Sequence, residues 1–544
     1  MTHRPFAITL DVATSRANHT GSWRTERPEY VHRRAPCGGA CPAGEDPQAW
    51  LALAEEGDYE GAWRLIMENN PLPAVIGRVC YHPCETACNR AQLDEAVGIN
   101  GVERFLGDTA IEQGWTVAPR RPPSGRRVLV VGAGPSGLSA AYHLARLGHQ
   151  VVIRDAGPLA GGMMRFGIPR YRLPREVLDA EVARIVGLGV TLELETHVDD
   201  VAAAMADGGF EAAFVAVGAH LGRHADIPAG GAAHVLDAVT LLRSMEGGER
   251  PLLGRRVVVY GGGNTALDAA RTARRLGASE AVVVYRRTRD RMPAHDEEVE
   301  EALEEGVLMR WLSTIKHVGD GRVVVERMEL NEHGWPQPTG ALDELEADSL
   351  ILALGQESDL SLLDGVEGVE IDDGMVKVGA DLMTGHAGIF CGGDIVPAER
   401  TVTMAIGHGR TVARHIDAWL AGGAAEPEPE VAEATFDRLN TWYYSDAPHR
   451  VRPRLERARR SSTFDEVVHG FDAETALFEA RRCLSCGTCF ACDNCFGMCP
   501  DNAVIKLEPG TSYAYAIDLD YCKGCGICAR ECPAGAIAMV EEEV

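Results

Sequence analysis

Long apolar runs are missing from this chain of 544 residues. No stretch approaches the ~20 consecutive apolar residues that a membrane-spanning helix needs, so the sequence predicts no membrane span. The N-terminus lacks the apolar segment of a secretory signal, and we therefore expect a cytoplasmic protein. That compartment is reducing, which argues against a disulfide framework as the reason for the 16 cysteines.

Basic residues are scarce relative to acidic ones. The chain has 53 Lys and Arg against 80 Asp and Glu, which gives a formal net charge of -27. A surface this acidic repels nucleic acid and anionic membranes, so neither is an expected partner. The same charge suits docking to a basic patch on another protein.

Cysteine is nearly absent from the long middle of the chain. Five cysteines lie between Cys37 and Cys88, ten lie between Cys483 and Cys532, and Cys391 stands alone. This distribution divides the chain into a cysteine-bearing head, a body with α/β patterning and a cysteine-rich tail. We interpret Cys391 as a small core residue within a strand, and the other fifteen as metal or cluster ligands.

The body begins with a strand, a glycine turn and a helix. The strand RVLVV is followed by Gly132, Gly134 and Gly137, and then by a helical pattern. These glycines allow a tight turn, a close approach of pyrophosphate and close helix–strand packing, and the helix N-terminus faces the phosphates. The next strand ends at Asp155, where a carboxylate meets a ribose hydroxyl. The pattern predicts a dinucleotide site, and the alternative is a glycine-rich turn that binds nothing.

The same pattern recurs after a second strand, RVVVY. Its turn supplies four candidate cofactor-binding residues, which are Gly261, Gly263, Asn264 and Thr265. The following strand ends in Arg286 and Arg287, where an acidic residue would favour NAD. Two arginines suit a 2′-phosphate, so the sequence favours NADP(H), with NAD(H) as the alternative.

The body resembles flavoproteins in which a split FAD domain holds an inserted NAD(P) domain. Gly393 and Asp394 match the second FAD motif of that family. The resemblance implies that Gly162 and Met163 lie beside the flavin, and that Thr403 belongs to a helix whose N-terminus faces the flavin ring. The run at 283–307, together with GGGNTALDAAR, further resembles the small subunit of glutamate synthase and its relatives.

The head carries five thiols at short spacing, namely Cys37, Cys41, Cys80, Cys84 and Cys88. Such spacing suits a cubane iron–sulfur cluster, and zinc is the alternative. Members of the resembling family carry two [4Fe–4S] clusters here and use a leading Cys-x2-Cys unit that this head lacks. The resemblance implies one cluster on Cys41, Cys80, Cys84 and Glu103.

The tail contains two copies of a bacterial ferredoxin motif. The first copy is Cys489, Cys492, Cys495 and Cys499, and the second is Cys522, Cys525, Cys528 and Cys532. In such a repeat the fourth cysteine of each copy binds the other cluster, so the tail predicts two [4Fe–4S] clusters. One takes Cys532 with the first three cysteines, and the other takes Cys499 with the second three.

Cys483 and Cys486 form the Cys-x2-Cys unit that the head lacks. Our hypothesis is that the tail folds back and supplies both thiols to Cys37 and Cys88, which makes four clusters. The alternative is two free thiols and a single head cluster, which makes three.

The expected fold is α/β, with two nested Rossmann-like domains, a helical N-terminal iron–sulfur domain and a small α+β ferredoxin domain. The predicted boundaries are an N-terminal extension at 1–28, a helical iron–sulfur domain at 29–122, FAD domain parts at 123–225 and 346–420, an NADP domain at 226–345, a linker and docking segment at 421–482 and a ferredoxin-like domain at 483–544.

These observations predict an NAD(P)H:acceptor oxidoreductase subunit. A flavin exchanges hydride with NADP(H) and single electrons with clusters, in either direction, so no catalytic acid–base or nucleophilic residue is expected. The expected partner is a redox protein or larger subunit, such as a 2-oxoacid:ferredoxin oxidoreductase. Two alternatives stay open: a glutamate synthase-like small subunit that feeds an amidotransferase partner, and a non-catalytic subunit that only carries clusters.

Overall fold

The computed structural model describes residues 19–223, 234–248, 250–319, 321–508 and 514–542. No helix within these ranges is long and apolar enough to cross a membrane. Short 3-10 helices occupy Thr20–Trp23, Asn89–Gln92, Arg289–Arg291, Ser361–Leu363, Gly393–Ile395, Phe436–Arg438 and Thr441–Tyr443.

The head is a helical unit. Its elements are β1 (Glu26–Tyr30), α1 (Pro36–Ala40), α2 (Pro47–Glu56), α3 (Tyr59–Ile66), α4 (Pro73–Val79), α5 (Pro83–Thr86) and α6 (Ile99–Glu112). The Asp46 and Asp58 carboxylates cap α2 and α3 by accepting backbone N–H groups at 3.3 and 2.9 Å. Helices α4 and α6 touch at Gly77, where a Cβ would lie 2.3 Å from the Arg104 Cβ.

The first half of the FAD domain follows. Its elements are β2 (Arg127–Val131), α7 (Pro135–Arg146), β3 (Gln150–Arg154), α8 (Met163–Phe166), α9 (Arg175–Val186), β4 (Thr191–Glu193), α10 (Val201–Gly208) and β5 (Ala212–Val215). The apolar strands are buried on both faces, as expected for a parallel sheet covered by helices.

The inserted domain has its own parallel sheet. Strand β6 (Leu221–Gly222) leads into it. Its elements are β7 (His234–Asp237), α11 (Ala238–Glu246), β8 (Arg256–Tyr260), α12 (Asn264–Arg275), β9 (Glu280–Val284), α13 (Asp296–Glu304), β10 (Leu308–Arg310), β11 (Ser313–Gly319), β12 (Arg322–Leu330), β13 (Pro336–Glu346) and β14 (Ser349–Leu352). The strand order is β10-β9-β8-β14-β7, and β11-β12-β13 form a separate antiparallel sheet.

The NADP domain ends later in the structure than the predicted boundary at 345/346. Strand β14 lies between β8 and β7 and pairs with both, so the NADP domain extends at least to Leu352. A four-residue apolar strand gives no sign of which sheet it joins. The other predicted edge of this domain, 225/226, lies outside the described residues.

The chain then returns to the FAD domain. The elements are β15 (Gln356–Glu357), β16 (Ile371–Asp372), β17 (Met375–Val376), β18 (Ile389–Cys391) and α14 (Val402–Leu420). The FAD sheet is parallel, with the order β18-β5-β2-β3-β4. Cys391 is fully buried in β18, which confirms that it is a core residue.

The last part is the docking segment and tail. The elements are α15 (Arg457–Arg460), α16 (Ala473–Ala480), α17 (Asn494–Met498), β19 (Val504–Lys506), β20 (Tyr515–Ile517), α18 (Ile527–Arg530) and β21 (Ile537–Glu541). Strand β21 pairs antiparallel with β1 near the other end of the chain. The predicted boundary at 28/29 therefore cuts a strand that completes the tail.

Candidate functional site

One cavity of about 1380 Å³ lies between the FAD and NADP domains. Both glycine turns open into it because the parallel strands of each sheet end there. The predicted cofactor-binding residues that line it are Gly132, Gly134, Asp155, Gly162, Met163, Gly393, Asp394, Gly261, Gly263, Asn264, Thr265, Arg286 and Arg287. Gly137 and Thr403 are not part of this lining.

The first glycine turn has the geometry that its motif predicts. Gly132 has a φ of 108°, and a Cβ there would lie 2.4 Å from the Ala216 carbonyl oxygen. A Cβ at Gly137 would lie 1.9 Å from the Gly132 oxygen, so this glycine allows close packing of α7 on β2. Asp155 accepts the Ala133 N–H at 2.6 Å and the Gly157 N–H at 2.7 Å, which fixes its carboxylate at the cavity edge.

The phosphate end of α7 fits a dinucleotide. A Cβ at Gly134 would meet nothing closer than 3.9 Å, so the backbone there is open to a ligand. Ser136 lines the cavity, and its buried Oγ has no hydrogen-bond partner among the described residues. An unpaired buried hydroxyl at a helix N-terminus is suited to a phosphate oxygen. The sequence analysis missed Ser136, although it lies inside the glycine motif.

The second glycine turn holds its helix against the head. Asn264 Nδ2 donates to the Tyr81 hydroxyl at 2.7 Å, and Asn264 Oδ1 accepts the His295 N–H at 3.1 Å. The rings of Tyr81 and His295 stack, with centroids 3.5 Å apart and an interplanar angle of 12°. Tyr81 was also missed, because a single aromatic residue outside a motif carries no sequence signal. It connects the head to the NADP domain at the cavity wall.

The first thiol group contains Cys41, Cys80 and Cys84, with the carboxyl group of Glu103. Burial raises the pKa of the Cys84 thiol well above its ordinary value, and the nearby Glu85, Cys80, Cys41 and Glu103 raise it further. Burial raises the pKa of the Cys80 thiol and the nearby Thr403 hydroxyl lowers it, so Thr403 lies beside this thiol group and not in the cavity lining. Burial also raises the pKa of Glu103.

The second group joins the head to the tail. Burial raises the pKa of the Cys37 thiol, and Cys483, Cys88 and Cys486 raise it further, so these four thiols are neighbours. Arg482 holds the tail against the head at this second group. Its buried guanidinium donates to the backbone oxygens of Ala96 and Glu95 at 2.7 Å and of Ala447 at 3.0 Å, and no motif marked this residue in the sequence.

The third and fourth groups lie in the tail. The pKa of Cys495 is raised by burial and by Cys489, Cys492 and Cys532, and burial raises that of Cys528 to about 12 with contributions from Cys522, Cys525 and Cys499. Backbone N–H groups donate to Cys499 Sγ at 3.2 Å and to Cys532 Sγ at 3.3 Å.

These four groups fit iron–sulfur cubanes. Buried thiols that oppose one another's ionisation need a cationic core to become thiolates, and iron supplies that charge. Within the described ranges no group of three or more His, Cys, Asp or Glu side chains is arranged to hold a single metal ion. A cubane is bound at four separate corners, so its ligands do not converge on one point.

Two nested dinucleotide-binding domains, with Cys80 between two residues that line their shared cavity, define a flavin- and iron–sulfur-dependent oxidoreductase. The pyridine nucleotide-disulphide oxidoreductase family matches residues 126–409, and the chain belongs to that family. The dihydropyrimidine dehydrogenase domain II family, with a 4Fe-4S cluster, matches 26–115, and the 4Fe-4S dicluster domain family matches 488–536.

Three relatives are similar over most of the chain. NADP(+)-dependent formate dehydrogenase subunit beta of Moorella thermoacetica is 36% identical over 83% of this chain and 70% of the relative. NADPH-Fe(3+) oxidoreductase subunit beta of Geobacter sulfurreducens is 34% identical, covering 85% and 77%. The small chain of glutamate synthase [NADPH] of Escherichia coli is 34% identical, covering 71% and 88%.

The family, the nested α/β fold and the cofactor classes are thereby confirmed. The chain is an electron-transfer oxidoreductase with sites for FAD, NADP(H) and 4Fe–4S clusters. The number of clusters and their individual ligands stay predictions.

Proposed function

We propose that this chain passes electrons between NADP(H) and a protein partner by way of FAD and four [4Fe–4S] clusters. The observation that carries the proposal is the position of Cys80. Its two neighbours in sequence, Val79 and Tyr81, both line the cavity that the glycine turns form. A cluster on Cys80 would therefore lie directly behind the cavity wall.

The chemistry of the bound groups fits this arrangement. A flavin exchanges two electrons with a nicotinamide and single electrons with a cluster. The chain itself positions these groups. The N-terminus of α7 presents Ser136 and open backbone at Gly134 to one dinucleotide, while Arg286 and Arg287 face the other. A Cβ at Gly407 of α14 would lie 2.0 Å from the backbone oxygen of Pro42, so this helix of the FAD domain packs against the chain that follows Cys41 of the first thiol group.

The four thiol groups form a sequence from the cavity to the surface. The first is at the cavity wall, and the second joins the head to the tail. The Tyr444 hydroxyl donates to the backbone oxygen of Leu484, between Cys483 and Cys486 of the second group, at 2.8 Å. Burial raises the pKa of Tyr444, and Cys532 and Cys492 of the third group contribute together with Cys483 and Cys486. Cys492 and Cys525, one in each tail group, are exposed. This order supports transfer between the cavity and a partner at the tail.

The partner we propose is the catalytic subunit of a redox enzyme. The Moorella and Geobacter relatives carry the names of beta subunits of redox enzymes, which supports such an assembly here. The amidotransferase alternative is weaker because the glutamate synthase small chain matches only 71% of this chain. A cytoplasmic location stays a prediction.

The test uses the anaerobically purified chain with NADPH and a viologen dye, followed by recovery of proteins that co-elute from the native source. We expect rapid dye reduction and a co-eluting oxidoreductase subunit. A yellow-brown protein that does not reduce the dye would support the non-catalytic alternative. A co-eluting amidotransferase would support the alternative of a glutamate synthase-like small subunit.

A further inference from the structure

The first thiol group contains two buried carboxyl groups where the sequence analysis expected one. Glu45 is 3% exposed and Glu103 is 5% exposed. A buried carboxylate is costly unless it is paired, hydrogen-bonded or bound to a metal. Neither Glu45 nor Glu103 forms a salt bridge with a Lys, Arg or His of the described ranges. The thiol group beside them is therefore the feature that can give these two carboxyl groups a role.

A single amide holds both groups. Asn70 is fully buried, and its Nδ2 donates to Glu45 Oε1 and to Glu103 Oε1, each at 2.9 Å. Its Oδ1 accepts the Leu72 N–H at 2.9 Å, which fixes the amide plane at the start of α4. Both are therefore held at one place by a rigid partner.

Both carboxyl groups face the same thiols. Beyond the effect of burial, Glu45 raises the pKa values of the Cys41 and Cys80 thiols, and Glu103 raises those of Cys41 and Cys84. Three thiols leave one corner of a cubane without a sulfur ligand. Two carboxyl groups that share one anchoring amide would both be available to fill it.

We propose that Glu45 and Glu103 are alternative ligands of the same iron, and that Asn70 is the positioning residue that presents them. The inference rests on the assignment of Cys41, Cys80 and Cys84 to one cluster in the proposed function. Loss of either carboxylate then leaves the other to complete the site, whereas loss of both exposes the iron. Asn70 acts only through the carboxylates.

The experiment compares Glu45→Leu, Glu103→Leu and the double variant as anaerobically purified chains. Leucine keeps the volume of the buried side chain and adds no polar group, which favours folding. The readout is the rate at which mild ferricyanide oxidation converts one cluster to its three-iron form, followed by electron paramagnetic resonance. Glu85→Gln is the control, because this carboxyl group lies near Cys84 but accepts the Asn100 N–H at 2.8 Å.

We expect both single variants and the control to convert at nearly the wild-type rate. The double variant should convert at least about tenfold faster, because loss of an outer partner alone weakens metal binding about ten- to a hundredfold and loss of the ligand itself weakens it at least as much. Glu103→Leu alone converting as fast as the double variant would overturn the proposal, and so would a double variant that behaves like the wild type.

The signals of the other clusters and the flavin content report whether each variant folds. If the double variant does not fold, Asn70→Leu in the Glu103→Leu background replaces it, with the same tenfold acceleration expected and an unchanged rate overturning the proposal. A wild-type chain without an iron–sulfur signal would refute the proposed function itself, which is a distinct outcome.

Discussion

Replacing Arg286 and Arg287 by Ala removes two cationic groups from the NADP side of the cavity. Arg286 is exposed and Arg287 is half-buried, with its guanidinium carbon 5.3 Å from the centre of the Trp335 ring. The backbone beneath them is fixed, since Leu312 N donates to the Arg287 oxygen at 3.1 Å. Both guanidinium groups are therefore presented to a phosphate from a rigid strand end.

The magnitude follows from the charge and exposure of these groups. A hydrogen bond to a charged group contributes about 1.5–3 kcal/mol when it is shielded from water. Solvent screening at this cavity edge lowers it to about 1.4 kcal/mol for each arginine, which is about tenfold in affinity. We expect each single substitution to raise the KM for NADPH about tenfold, and both together about a hundredfold if the two contacts add.

The assay is steady-state dye reduction with NADPH and with NADH. The KM for NADH should not change, because NADH lacks the 2′-phosphate. Arg289→Ala is the control, since Arg289 is exposed, lies within 3.3 Å of Glu300 and does not line the cavity. An equal rise in KM for both nucleotides would refute the assignment of these arginines to the phosphate.

Three further predictions concern the NADP domain and the core. Tyr81→Phe removes the acceptor of the Asn264 hydrogen bond, which is worth about 1 kcal/mol. The KM for NADPH should rise about fivefold while the iron content stays the same. An unchanged KM would contradict a role for this contact in binding NADPH. Arg271→Met removes one of the buried partners of Glu305, now 2.8 Å away. The free energy of unfolding of this domain should fall by about 3 kcal/mol, measured as a chemical denaturation midpoint at lower denaturant concentration. An unchanged midpoint would contradict this contribution of Arg271 to stability. Cys391→Ala should leave the iron content unchanged, and any loss of iron would show that it is a ligand.

The glycine turns and the ferredoxin repeat could be predicted from the sequence because their chemistry tolerates few residue types. A Cβ at Gly137 would collide with the Gly132 oxygen at 1.9 Å, so the motif is forced by the packing itself. The hypothesis that Cys483 and Cys486 join the head comes from counting ligands, and it stays a prediction. In each case a physical constraint leaves a pattern in the chain.

The rest could not be predicted because it depends on three-dimensional neighbours. Strand β14 is a short apolar run that fits either sheet, and only its pairing with β7 and β8 assigns it to the NADP domain. Tyr81 and Asn70 act through contacts with elements distant in the chain, and Ser136 stands out only because its buried hydroxyl has no partner among the described residues. None of these features leaves a spacing to recognise in the sequence. No sequence pattern marks the Glu45 carboxylate, for the same reason.

The central claim is that the tail completes the head, so that the chain carries four cubanes. Iron analysis of the anaerobically purified wild type, beside the Cys483→Ala/Cys486→Ala variant, tests it most directly. We expect about sixteen irons per wild-type chain and about four fewer in the variant, because each cubane holds four irons. Eight or twelve irons in the wild type, with no change in the variant, would contradict the account.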